Sequence, residues 1–317
     1  MHRRGLRIFL AVALATAPLS ACRSKSTAPE SIAASSAAAN VDASPSGSSS
    51  APAPSKFLGI TKGTCPSDMV FVPSGTFTMG PVAPPPTNPK HLPAHSVTLG
   101  AFCIDRTEVT REAFRERCNC GAIPKEDSNQ QECDFGTAKN PPAICVTWTQ
   151  ADQFCRRTGK RLPTEEEWEY AARGSDGRVF PWGDQNLSLE NDPEHPNLCA
   201  GRTGRNRPRP PGFPPPSSDP LFPDGPCSVG TAKDDRSPFG ALDMLFNVRE
   251  WTASNTCSSA SPRTSCNGER IARGSTFGDP WMGKTGLLNF RAQLDMDAPD
   301  ATVGFRCVGD PIVVPQR

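Results

Sequence analysis

Beyond residue 64 the apolar residues come in short bursts punctuated by Pro, Gly and polar residues. Met69-Val70-Phe71-Val72 and Thr76-Phe77-Thr78-Met79 have strand character, and the intervening Pro73-Ser74-Gly75 reads as a turn, so the pattern predicts a hairpin. Val97-Thr98-Leu99 and Phe102-Cys103-Ile104 predict two further strands. Three helices carry start signals. Thr110 can cap a helix over 111–117. Thr149, with Asp152 in the first turn, can cap 150–158, where Ala151, Phe154 and Cys155 share a face and Gly159 supplies the stop. Thr164 and Glu167 have the spacing of a capping box, for a helix running through Trp168, Ala171 and Ala172 to Gly174. Glu165, Glu166 and Glu167 cluster at its start, where the helix dipole favours negative charge. They are expected to serve the helix end rather than catalysis.

The first residues have a different pattern. Arg3, Arg4 and Arg7 precede an apolar run from Ile8 to Leu19, too short for a stable bilayer span. Leu19-Ser20-Ala21-Cys22 then resembles the bacterial lipobox, in which the Cys is acylated after cleavage. Residues 1–21 are thus expected to be a lipoprotein signal peptide and Cys22 the lipidated residue, with two-chain anchoring giving stable membrane attachment. Arg23, rather than Asp, follows the anchor, which favours the outer membrane, facing periplasm or surface. Residues 22–63 read as anchor and linker. Their Ala, Ser and Pro cannot bury enough apolar surface to offset chain entropy, so disorder is expected. Residues 64–317 form the predicted domain.

Composition sharpens this. Lys plus Arg number 34 against 33 Asp plus Glu, a balance that argues against a nucleic-acid partner. There are 35 Pro, nine of them between 208 and 226, which reads as an exposed excursion within the domain. Setting aside Cys22 leaves twelve of the 13 Cys, an even number that predicts up to six disulfides in an exported chain. Cys118-Asn119-Cys120 are too close to be expected to pair together. Each is expected to reach a different partner between 118 and 145, with metal binding as the alternative.

A series of segments then carries a family resemblance. Met69 to Gly80, Phe102 to Thr110, Gly159-Lys160-Arg161-Leu162-Pro163-Thr164 through Gly174, Phe180-Pro181-Trp182-Gly183, Asn247-Val248-Arg249-Glu250-Trp251-Thr252, Arg273-Gly274-Ser275 and Gly304-Phe305-Arg306-Cys307 follow one another as in the formylglycine-generating enzyme (sulfatase-modifying factor) family. The resemblance implies an α+β fold, a disulfide-rich variant of the C-type lectin fold with little regular secondary structure and with bound Ca²⁺. Active members of the family oxidise a Cys within Cys-x-Pro-x-Arg to formylglycine, using O₂ and copper(I) held by two thiolates, soft ligands for a soft ion. The two thiolate positions fall here on Gly278 and Gly283, and no Cys lies between Cys266 and Cys307. Two aromatic positions of the family site become Arg249 and Met282. Copper is therefore not expected, and no catalytic residue is assigned.

The calcium ligands implied by the resemblance are retained better. One cage would use Asn197 and Asp224 with the carbonyls of Leu198 and Pro226. The other would use Asp243 and Glu250 with the carbonyls of Phe246 and Val248; such hard oxygens suit Ca²⁺. The resemblance also implies a Cys155–Cys307 disulfide, and a ligand cleft lined by Arg249, Ser275, Trp281 and Arg306. Arg249 there would favour an anionic small molecule or protein group. Three functions follow: a membrane-tethered, non-catalytic binding or scaffold module; a formylglycine-generating oxidase; or another oxygenase of this fold.

Overall fold

The computed structural model describes residues 57–81, 93–127, 129, 133–134, 138–183, 199, 225–255, 268–277, 288 and 290–312. Cys22, the linker up to residue 56 and the Pro-rich excursion up to 224 lie outside them, as do Asn197, Leu198, Asp224, Gly278, Trp281 and Gly283. Residues 57–63, expected to be disordered linker, are ordered instead, because the carbonyls of Phe57 and Ile60 accept from Ala101 N and Ser74 N at 3.1 and 2.8 Å. Nine strands and three helices order the described residues. Strands β1 (Met69–Val72), β4 (Phe102–Asp105) and β9 (Val308–Gly309) make one antiparallel sheet in the order β1-β4-β9. Strands β2 (Gly75–Met79) and β3 (His95–Leu99) pair alone. Strands β5 (Arg249–Asn255), β6 (Glu269–Arg273), β7 (Arg291–Asp295) and β8 (Val303–Gly304) form the third sheet in the order β7-β6-β5-β8, with β8 parallel to β5.

The two strand-like runs at 69–79 are both strands, but the predicted hairpin between them does not form. β1 pairs with β4 and β2 with β3. The cause is at Ser74, whose backbone N and Oγ both donate to the Ile60 carbonyl, at 2.8 and 3.0 Å. The chain is held there in a crossing between sheets instead of reversing. β2 keeps the period-two logic of a half-buried strand: Phe77 and Met79 are buried, while Thr76 and Thr78 face out and Thr76 Oγ1 meets Thr98 Oγ1 at 2.8 Å.

Helix α1 (Arg111–Arg117) starts at the Thr110 cap, whose side chain accepts from the Ala113 N–H. Helix α2 (Trp148–Arg157) starts two residues earlier than predicted: Thr147, not Thr149, is the cap. Gln150 at the third helical position completes a reciprocal capping box with Thr147, whereas Asp152 instead pairs with Arg156 one turn on. Gly159, at φ +73°, ends that segment in a left-handed conformation suited to glycine. Helix α3 (Glu165–Arg173) has the predicted capping box at Thr164 and Glu167.

α3 packs against β2, β5 and β6. The helix is buried nearly all round, and its Trp168, Tyr170, Ala171 and Ala172 pack in one core with Val70, Val72, Ile104 and Leu245. A second core joins Phe114 of α1, Phe154 of α2, Trp251 and Phe305; the Phe154 and Phe305 rings meet edge-on at 5.4 Å between centroids. Trp251 also satisfies its indole N–H, donating to the Val146 carbonyl at 2.9 Å.

Five disulfides join described residues: Cys65–Cys103, Cys118–Cys120, Cys133–Cys145, Cys155–Cys307 and Cys199–Cys227. The pair implied by family resemblance, Cys155–Cys307, is among them. Cys118 and Cys120 pair with each other, against expectation. α1 ends at Arg117, Cys118 turns extended, and the Cα atoms of 118 and 120 come within 5.1 Å. Cys257 and Cys266 lie outside the described residues. Among the described residues, no helix is long and apolar enough to cross a membrane.

Candidate functional site

The segment that leads into β5 is built by unusual backbone. Asp243 and Asn247 are non-glycine residues at φ +56° and +76°, a region that Asp and Asn enter more readily than most residues. The segment is held in place by its neighbours. Ser275 N donates to the Leu245 carbonyl at 2.6 Å and Phe277 N to the Asn247 carbonyl at 2.7 Å. Gly274, at φ +89°, lies against the Trp168 indole, where an added Cβ would come within 3.3 Å. Asn247 Oδ1 accepts from Cys227 N at 2.8 Å, beside the Cys199–Cys227 disulfide, and its Nδ2 donates to Glu108 Oε1 at 2.8 Å.

Glu250 and Arg306 meet at the centre of this region. Both side chains are 0 % exposed. Arg306 Nε and Nη2 each donate to the Glu250 carboxylate at 2.7 Å, and Trp168 Nε1 donates to Glu250 Oε2 at 2.8 Å. The other Arg306 donors go to the carbonyls of Asp105, Arg106, Leu242 and Asp243. Burial opposes the guanidinium charge, but Glu250, Glu108 and Asp243 outweigh it and hold Arg306 protonated. Arg306 is thus a structural cation in the core, and it does not line an open cleft as expected.

Three more buried carboxyls surround this pair. Asp235 accepts from Leu245 N and Phe246 N, and burial pushes its carboxyl up to about 7. Glu108 is driven well above the usual carboxylate range by burial and then by the charge of Asp243. Burial likewise raises Asp243, despite the hydrogen bond from Gly230 N at 2.5 Å. Four carboxyls therefore face one guanidinium. Neither Glu108 nor Asp235 was singled out from the sequence. Glu108 lay inside the Phe102–Thr110 segment, but nothing in its spacing distinguishes a buried acid from an exposed one.

The remaining predicted cleft residues are placed as follows. Ser275 is buried, clasped through its backbone to Leu245. Arg249 is half-buried, with Nη1 3.4 Å from Thr302 Oγ1 and its guanidinium 5.3 Å over the Phe290 ring. Of the first predicted calcium cage only Pro226 is described. It borders a groove of about 560 Å³ beside α1, lined also by Arg111, Arg115, Lys139, Glu112 and Asp134. That groove carries both charges, and neither Arg249 nor Ser275 lines it.

The acids at the start of α3 have structural partners. Glu165 receives Arg291 Nε and Nη2, at 2.5 and 2.9 Å, and Arg273 Nη1 at 3.3 Å. Glu167 caps Thr164 N and takes both Arg161 Nη atoms at 2.6 Å. Glu169 joins Arg273 and Arg173. These pairs fix α3 to β6 and β7.

Residues 59–311 match the sequence profile of the sulfatase-modifying factor enzyme 1-like domain. The chain is 28 % identical over 292 residues to the inactive C-alpha-formylglycine-generating enzyme 2 of Mus musculus, covering 75 % of this chain and 84 % of that protein. It is 26 % identical over 319 residues to the formylglycine-generating enzyme of Mycobacterium tuberculosis, covering 78 % and 99 %. The structure of PvdO from Pseudomonas aeruginosa shares the fold, with a TM-score of 0.53 and 22 % identity, covering 76 % of this chain and 94 % of that one.

Proposed function

The chain belongs to the sulfatase-modifying factor enzyme 1-like family, and from that premise we propose that it is a non-catalytic member: a binding or scaffold module held at a cell-envelope membrane through lipidated Cys22. One observation carries the reading. By the family resemblance the positions that hold the copper thiolates in active members fall on Gly278 and Gly283, no Cys lies between Cys266 and Cys307, and glycine has no side-chain donor. The ten Cys that are described are all committed to disulfides, so none of them offers a replacement thiolate. Similarity to a relative named inactive supports the same direction, although similarity to a working enzyme is nearly as high.

On this reading the fold is kept as a rigid frame, and Arg249 is its contact for an anionic group. Ca²⁺ is its structural ion. Of the second implied cage, Asp243 suits that ion: its Oδ1 is buried and receives no hydrogen bond. Glu250 does not, since both its oxygens already accept from Arg306 and one also from Trp168.

The decisive experiment offers the purified chain a Cys-x-Pro-x-Arg peptide with copper(I) and oxygen. No aldehyde is expected; aldehyde formation would overturn the proposal in favour of an oxidase. Mass spectrometry of the membrane fraction should find acyl chains on Cys22, and Cys22→Ala should release the protein. Arg249→Ala should abolish binding of inorganic sulfate while leaving the far-ultraviolet spectrum unchanged. Equal sulfate affinity in the variant would remove Arg249 from the proposal.

A further inference from the structure

The groove beside α1 combines an apolar wall with one buried cation. Pro141, Pro142, Ile144 and Pro226 make the wall. Glu112, Arg115, Glu116, Asp134 and Lys139 are exposed along it, where solvent screens their charges. Among the described lining residues the buried charge is Arg111.

That guanidinium is poorly matched. Its side chain is 9 % exposed, whereas Asp134, its ion-pair partner at 2.8 Å, is 66 % exposed. An exposed partner offsets little of the cost of burying a cation. Burial accordingly holds Arg111 below the ordinary arginine value; Asp134 counters this only in part, and the charge of Arg115 adds to it. The pair uses Nη1 and leaves the other edge, Nε with Nη2, without an acid; Nε is buried and donates to nothing. Elsewhere in this protein the same edge is filled. Arg306 grips Glu250, and Arg291 grips Glu165, through Nε and Nη2 together. Such a fork matches the two oxygens of a planar carboxylate.

We propose that this groove binds a carboxylate carried on an apolar body, with the Nε–Nη2 edge of Arg111 taking the carboxylate and the proline-rich wall covering the rest. Seating it requires the guanidinium to turn that edge outward, a rotation that an exposed partner such as Asp134 can follow. The groove, at about 560 Å³, is of the size of small-molecule sites, which run from roughly 300 to 1,000 Å³. Its two banks are tied together, since Arg111 N donates to the Pro141 carbonyl at 3.0 Å and Thr110 bridges to Pro142. The site is therefore largely formed before a ligand arrives. The C-terminus of an apolar peptide and a free aliphatic acid both present this chemistry. The site is separate from the Arg249 contact and does not depend on whether the chain is catalytic.

The test titrates the full chain by calorimetry with three probes: acetyl-leucyl-leucine bearing a free C-terminal carboxylate, the same peptide as its C-terminal amide, and octanoate. At least one of the two acids should bind. If the peptide acid binds, its amide should be weaker by about 10- to 100-fold, the loss of a charge-assisted hydrogen bond. Binding of the peptide acid alone names a peptide terminus as the source, and binding of octanoate alone names a free acid. Arg111→Lys keeps the charge without the fork and should weaken the bound acid by about 10-fold. Arg111→Met should lose acid binding yet melt no lower than wild type, because the cation it removes is barely paired; the Lys variant serves if the Met variant fails to fold. A merely structural arginine would give the reverse, a lower melting temperature with acid binding intact. That pattern would overturn the proposal. So would equal affinity of wild type for the peptide acid and its amide, or no binding of either acid at millimolar concentration.

Discussion

Removing the disulfides one at a time should rank the domain's cross-links by the length of chain each closes. In the chain-entropy model the stabilisation grows with the logarithm of the loop. Cys155 and Cys307 are 152 residues apart, which gives about 5 kcal/mol. Cys65–Cys103, at a separation of 38, gives about 4 kcal/mol, and Cys199–Cys227, at 28, slightly less. Cys133–Cys145, at 12, gives about 3 kcal/mol, and Cys118–Cys120, at 2, roughly 1.5 kcal/mol. Most of these sulfurs are buried, so the cavity left by a Cys→Ala pair adds a similar cost in each variant and preserves the order. The assay is urea unfolding of the five double-alanine variants at fixed calcium. The midpoint should fall most for 155/307 and least for 118/120. The slope should rise most for 155/307, because its unfolded chain expands most. Equal losses for those two variants would refute the entropic account and locate the effect in native-state packing.

Three other outcomes follow from the geometry. Thr164→Ala removes the hydroxyl that caps Glu167 N and should cost about 1 kcal/mol, read as a lower urea midpoint. Arg306→Met leaves Glu250 buried without its cation and should cost about 3–5 kcal/mol; adding Glu250→Gln should restore part of that, whereas additive losses would contradict the pairing. Burial opposes the Lys160 charge, but Asp105 and Asp68 outweigh it, so its amine sits above the ordinary lysine value. Its contribution is fully present below about pH 10.5 and is lost as pH rises through the raised folded value. Lys160→Met should therefore remove part of the alkaline unfolding limb, and an unchanged limb in the variant would count against the link.

Local signals were legible where local physics decides the outcome. The four strand-like runs and the caps at Thr110 and Thr164 were readable because period-two burial and capping boxes are set by neighbours in the chain. The pairing of strands was not, since β1 and β2 look like a hairpin until Ser74 is seen tied to Ile60. The α2 cap was misplaced because Thr147 and Thr149 both precede an apolar face, and Gln150 at the third position settles it. Cys118 and Cys120 could pair only because the chain turns extended at the end of α1. The site was harder still. The family resemblance puts Arg306 in a ligand cleft and Glu250 in a calcium cage, and only the fold reveals that the two are buried against each other. The acids Glu108 and Asp235 become conspicuous only when the segments at 105–110 and 235–250 are brought together.

The last strands reach far back along the chain. β9 pairs with β4, β8 with β5, and Cys307 N donates to Asp105 across 202 residues. Until residues 303–309 have been synthesised, β4 lacks its neighbour, Cys155 lacks its partner and Glu250 lacks Arg306. A growing polypeptide of this sequence thus cannot lock itself shut from the front. It stays threadable until its final segment arrives, and the sulfur link from that segment forms only where oxidants are present. If the chain is exported, as proposed above, late closure would guard it against folding on the wrong side.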